Sequence, residues 1–166
     1  MRFTFTLITF LFVTTLGWAQ TVLFQDTFEE DKNKWTFNGD GFDSKVDDGK
    51  LILENKHAAN SKWRYISITQ NAAATDFDIE ATITLDKTPN EYATYGLVWG
   101  MYSDNSDYRV VQLSANKQIQ IYQYYGKEFH YGKKWTASKN VEGKGRKNKI
   151  KVEKRANTFK EYINGF

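Results

Sequence analysis

The stretch TDFDIEATITL, residues 75–85, alternates Phe77, Ile79, Ala81, Ile83 and Leu85 with Asp78, Glu80, Thr82 and Thr84. A period of two is the spacing of a β-strand with one face on a core and the other in water. The same beat recurs along the chain. KLILENK follows an Asp47-Asp48-Gly49 turn with FDSKV ahead of it, so 42–55 reads as a hairpin. WRYISIT (63–69), TYGLVWGMYS (94–103), DYRVVQLS (107–114), QIQIYQYY (118–125) and NKIKVEK (148–154) are further predicted strands. Ser114-Ala115-Asn116-Lys117 is a tight turn between two of them. No segment has the 3.6-residue period of an amphipathic helix, and TFEEDKNKW (27–35) is at most one helical turn. Turn signals at intervals of about eight to twelve residues predict an all-β antiparallel sandwich or barrel.

The N-terminus belongs to a different class. MRFTFTLITFLFVTTLGWAQ carries one charge (Arg2), an apolar run from Phe3 to Leu16, and small Gly17 and Ala19 around Trp18. That is the pattern of a cleavable secretory signal peptide over residues 1–19, too short and threonine-rich for a membrane span. The expectation is a secreted or periplasmic chain with one domain over 20–166 and no membrane span. With no cysteine among 166 residues it has neither disulfides nor a lipid-modified cysteine. Its stability must come from packing, and 40% hydrophobic residues with 16% aromatics suit a β-protein. Net charge is near balance, but residues 21–60 sum to −4 and residues 126–160 to +9. Oppositely charged neighbouring strands explain this without a nucleic-acid surface. The basic run GKGRKNKIKVEKR (143–155) likewise alternates lysines with Ile150 and Val152, as a solvated strand face does. An exported chain points to an anionic polysaccharide as charge partner, and to no nucleic acid.

At the other end, TFKEYINGF is a strand running into Asn164-Gly165, a strong hairpin signal, and the sequence stops at Phe166. With no return strand, that strand is expected to lack a partner and the natural domain to continue, within a longer multidomain protein.

VLFQDTFEEDKNKW, DFDIEATITL, YGLVWG, NSDYRVVQLS, NKIKVEK and YING, in that order, resemble the bacterial concanavalin A-like lectin/glucanase domains. That jelly-roll group includes laminin-G-like modules and domains known as 3-keto-disaccharide hydrolases. The resemblance spans about residues 22–166 and rests on packing motifs. It implies a two-sheet antiparallel jelly-roll sandwich with its last strand or strands missing, whose concave face or rim loops hold glycans in many relatives.

The group also includes laminarinase-type hydrolases, whose catalytic strand carries acids at alternate positions. Asp76, Asp78 and Glu80 reproduce that spacing, with Asp in place of the nucleophilic Glu. Residues i and i+4 of a strand lie about 13 Å apart at Cα. Leaning side chains can bring carboxyls to the roughly 5–5.5 Å of a retaining mechanism. The plainer reading is the wet face of a half-buried strand.

Other constellations are sparser. His57 and His130 sit in loop-like stretches without metal-ligand spacing. Asp104, Asn105 and Asp107 offer calcium-type oxygens, though plain turns use the same residues. No other cofactor is signalled. The aromatics are richer. If Ile119 and Ile121 face the core, then Gln120, Tyr122 and Tyr124 share the open face. Tyr125, Tyr131 and Trp135 would border it in a following loop, and Arg109 would add a donor. Trp and Tyr stack on sugar C–H faces, while amides and charges take the hydroxyls. Trp35, Trp63 and Trp99 are expected in the core, Trp99 in phase with Tyr95, Leu97 and Met101.

The sequence therefore points to an exported β-sandwich module that binds a polysaccharide, glycoconjugate or other surface ligand without catalysis. The alternatives are a glycoside hydrolase or 3-keto-glycoside-processing enzyme using Asp76, Asp78 and Glu80, or a structural spacer.

Overall fold

Alternating sequence patterns become short strands joined by tight turns at positive φ. The computed structural model describes residues 22–57, 62–66, 76–88, 90–101 and 106–166. Among these it is all-β, with ten strands in three antiparallel sheets and no helix. The strands fall into two compact units, one ahead of residue 69 and one from there on. Residues 1–19, expected to be a signal peptide, residues 67–69 of WRYISIT, and Asp104 and Asn105 lie outside the described residues.

The first unit holds β1 (Phe37–Gly39), β2 (Phe42–Asp47) and β3 (Lys50–Asn55), in that order in one sheet. Asp48 and Gly49 take φ 51° and 65°, so the expected hairpin closes through a turn that needs the left-handed region twice. Ahead of the sheet, the acidic stretch is a hydrogen-bonded loop. The Asp26 carboxylate accepts from Phe28 N (2.8 Å), Asn33 Nδ2 (2.7 Å) and Trp35 Nε1 (2.7 Å). The Asp31 carboxylate accepts from Trp35 N (2.6 Å) and Thr36 N (3.1 Å). Trp35 is buried as expected, with its carbonyl accepting from buried Ser44 Oγ. Trp63 is not: it is 37% exposed, in a described stretch (62–66) that forms no strand.

The second unit holds β4 (Phe77–Thr84), β5 (Thr94–Trp99), β6 (Tyr108–Ser114), β7 (Gln118–Tyr125), β8 (Glu128–Ala137), β9 (Lys147–Arg155) and β10 (Thr158–Ile163). One sheet runs β10-β9-β4 and the other β5-β6-β7-β8. Their apolar faces meet in one core. Val111, Leu113 and Ile119 from the second sheet pack with Ile150, Val152 and Ile163 from the first, with Trp99 and Val141 among them. Phe77, Ile79 and Ile83 of β4 line its edge, so the stretch that predicted a half-buried strand delivers one. Each such Val, Leu or Ile stabilises the unit by about 1.5–3 kcal/mol. Asn148, fully buried, closes one end of the core. Its amide donates to Tyr95 Oη (2.8 Å) and Glu142 O (3.0 Å), and its carbonyl accepts from Glu142 N (2.8 Å) and Asn164 Nδ2 (3.1 Å).

Three expectations need correction. The strand predicted over 94–103 ends at Trp99, because Gly100 turns the chain at φ 64°. The residues after Tyr125 are not a loop but a strand, β8, reached through Gly126 and Lys127 at φ 60° and 67°. The strand before Asn164-Gly165 does not lack a partner. β10 pairs along its length with β9, and Ile163 and Phe166 exchange both backbone hydrogen bonds (3.0 and 3.2 Å) across the turn. Asn164 itself is pinned, its Oδ1 accepting from Lys149 N (2.8 Å).

Candidate functional site

The two outward faces of the second unit carry the candidate residues. On the outside of β10-β9-β4, register places Asp78 opposite Glu153 and Glu80 opposite Lys151. Asp78 Oδ1 accepts from Arg155 Nη1 (2.6 Å), and its Oδ2 lies 3.4 Å from Lys151 Nζ. Glu80 Oε1 is 2.9 Å from Lys149 Nζ, and Asp76 Oδ1 accepts from Ala156 N (2.7 Å). Lys151 also reaches Glu153 Oε1 (2.5 Å), whose other oxygen accepts from Tyr162 Oη (3.2 Å). The Lys151 hydrogen bond holds Glu153 below the usual carboxylate range against the opposing effect of burial. The bond to Asp78 likewise raises Arg155. Each acid of the 76–80 run thus faces a cation or a backbone amide of the next strand or turn. The result is an interlocked charge layer, and no reactive pair stands apart from it.

The outside of β6-β7-β8 is aromatic. Register aligns Tyr108 with Tyr124, Val110 with Tyr122 and Gln112 with Gln120 across β6 and β7, then Tyr122 with Tyr131 and Tyr124 with Phe129 across β7 and β8. Residues in register share a face. The rings touch throughout: Tyr108–Tyr124 stack at 5.2 Å, Tyr124–Phe129 lie at 5.0 Å, Tyr122–Phe129 at 5.6 Å and Tyr122–Tyr131 at 6.0 Å. Exposure rises across this array. Tyr108 and Val110 are buried, Tyr122 and Tyr124 are half-buried, and Phe129 and Tyr131 are 53% and 47% exposed. Burial, reinforced by Tyr108 and Tyr131, pushes the Tyr122 phenol up to about 12. Burial raises Tyr108 in the same direction.

Of the residues singled out from sequence, Tyr122, Tyr124 and Tyr131 come together, with Gln120 on the same face. Trp135 is in β8, 38% exposed, beyond the ring contacts just described. Arg109 does not join them. In register with Gln123 and Trp99, it lies on the inward side, its guanidinium 4.6 Å over the Phe159 ring. One residue of alternation separates it from Tyr108, and that is enough to reverse its side. Tyr125 also faces away, stacked at 3.9 Å on His130, which is a strand residue and not a loop one. Two members of the array, Tyr108 and Phe129, were not anticipated. The signal for Phe129 was its spacing of two from Tyr131, legible only once that segment is taken as a strand.

Among the described residues no group of three His, Cys, Asp or Glu side chains could hold an ion, and Asp107 is the one calcium candidate described. No described helix is long and apolar enough to cross a membrane. Comparison of this chain with models of known families, with curated proteins and with solved structures finds no match.

Proposed function

We propose that the protein is an exported, non-catalytic binding module whose outer β6-β7-β8 face holds a glycan. The observation that carries this reading is the graded ring array, buried at Tyr108 and open at Phe129 and Tyr131. Exposed aromatic side chains gathered on one sheet face mark a binding surface more often than chance exposure does. Rings fixed by their neighbours offer flat apolar surface at little entropic cost, which suits the C–H face of a sugar. Gln112 and Gln120, paired across β6 and β7, supply amides for hydroxyls. The apolar leader over residues 1–19 and the absence of cysteine support export, and the sequence motifs support a concanavalin A-like jelly roll as the finer description of the sandwich. The engaged state of Asp76, Asp78 and Glu80 supports binding over hydrolysis.

The test is affinity electrophoresis of the chain through native gels cast with soluble polysaccharides, with the same gels stained for new reducing ends. Retardation without release, lost in Tyr131→Ala, is the expected result. Release abolished by Glu80→Gln would replace this reading with the hydrolase one. A folded band that no glycan retards would leave a spacer.

A further inference from the structure

The hydrogen-bonded loop of the first unit does more than anchor Trp35. With Arg64 and Tyr65 it builds an open cleft of about 530 Å3, flanked by Phe24 and presenting Lys32 and Lys34. That is within the range of small-ligand sites. We propose that this cleft binds a carboxylate-bearing sugar ring, such as a uronate residue of an acidic glycan. This proposal does not rest on the aromatic face.

Three observations carry it. The first is charge: the lining includes Lys32, Lys34 and Arg64 and no acidic side chain. Lys32 shares its charge with Glu30 at 3.3 Å, an exposed and weakly bound partner, and with Asp26, whose carboxylate already accepts three hydrogen bonds. Lys34 and Arg64 have no carboxylate partner among the described residues. The nearby Asp31 carboxylate is already engaged by two backbone amides.

The second is preorganisation. Arg64 Nε donates to Trp35 O and its Nη2 to Lys34 O, both at 3.0 Å, and the guanidinium lies 5.2 Å from the Phe37 ring centre. A guanidinium has five N–H donors, so the fork is fixed while donors remain. A planar fork held in place suits a carboxylate's two oxygens. The same bonds hold the backbone that carries Lys34, whose own amide donates to Asp31 O (3.2 Å).

The third is the flank. Phe24 and Tyr65 are 38% and 47% exposed, leaving ring surface beside the cations. Inorganic phosphate would use the charges alone, whereas a sugar acid would use charges and rings together.

The experiment is calorimetric titration of the chain with sodium glucuronate, glucose and inorganic phosphate at one ionic strength. Glucuronate is expected to saturate and to weaken with added salt, with glucose inert and phosphate weaker. Lys34→Asn, which accepts the φ of 55° found there, should lower glucuronate affinity about tenfold. Lys32→Gln, at an exposed site and so safe for folding, should lower it about twofold. Unchanged affinity in both variants would overturn the assignment. So would glucose binding as tightly as glucuronate, or phosphate equalling or exceeding it. Tyr131→Ala should leave glucuronate binding intact while removing polysaccharide retardation, so failure at either site is visible separately.

Discussion

The two outward faces of the second unit are built on the same strand alternation and end in opposite chemistry. Outside β10-β9-β4, Asp78, Glu80, Lys149, Lys151, Glu153 and Arg155 answer one another across neighbouring strands. Outside β6-β7-β8, rings lie against rings and the outermost keep about half their surface in water. A charged layer that satisfies itself has little left to offer a ligand. An aromatic layer that stops short of burial has apolar surface to give. Substitutions should therefore cost stability on the first face and binding on the second.

The comparison presumes that both faces are the outsides of one sandwich. Leu113, fully buried between them, tests this. Leu113→Ala should destabilise the unit by about 2–5 kcal/mol in urea or thermal unfolding. Both faces should be lost together, so near-UV ellipticity from the rings and the resistance of β9 amides to exchange should fall in one transition. Two separate transitions would break the premise.

Asp78→Asn probes the charged face. Its side chain is only 14% exposed and meets two cations, so a Tm fall of about 2–4 °C is expected. The fall should shrink only in part in 1 M salt, because a largely buried carboxylate is screened less than an exposed one. Polysaccharide retardation should be unchanged.

Titration separates the outside of these strands from the inside. On the outside Glu153 is held below its ordinary value, chiefly by Lys151, so its contribution is present above the unfolded carboxylate pKa and is lost as pH falls through the folded one. Glu161, in register with Val152 on the inward side of β10, is raised by burial. Its charged form is disfavoured, so its effect has the opposite sign. Stability falls as pH rises from the unfolded value of 4.5 through the raised one. Glu161→Gln should remove that fall and leave in place the acid limb to which Glu153 contributes with the other lowered carboxylates, read as Tm between about pH 3 and 7.

How much of this the sequence disclosed depends on whether local alternation or cross-strand register was in control. Phe77–Thr84, Gln118–Tyr125 and the 42–55 hairpin were legible because alternation and turn residues agree there. β8 was not. Gly132 and the Lys133-Lys134 pair interrupt its beat, register shifts occur where it meets Ile119–Tyr122, and Gly126-Lys127 is a poorer turn signal than Asn-Gly. Losing β8 hid Phe129 and put Tyr131 and Trp135 in a loop. Arg109 failed for another reason. A residue's side follows from its phase relative to the core, and Arg109 is in phase with Val111 and Leu113, not with Tyr108. That Tyr122, Tyr124 and Gln120 share a face was legible because the isoleucines between them fix that phase. The Arg64 cleft was out of reach, since its parts come together only through two carbonyl contacts roughly thirty positions apart in sequence.

The smallest expected change in stability is also the sharpest test of the contrast. Tyr131 is about half exposed, and its phenol contributes no described hydrogen bond, so Tyr131→Ala should shift folding free energy by no more than about 0.5 kcal/mol. Yet Tyr131 covers part of Tyr122, whose phenol is pushed up to about 12 by burial first and by Tyr108 and Tyr131 second. A raised phenol keeps its stabilising, neutral form below the unfolded value of 10.0 and loses that advantage as pH climbs toward 12. Following phenolate absorbance from pH 9 to 13, the wild-type chain should show a late-ionising set of tyrosines, Tyr95, Tyr108, Tyr122 and Tyr162, with a step near 12 from Tyr122. In Tyr131→Ala that step should move down toward 10.0 while the neutral-pH Tm stays put and polysaccharide retardation disappears. A lost Tm with the titration unmoved would mean that the array is packing and nothing more, and the contrast between the two faces would fail on its aromatic side.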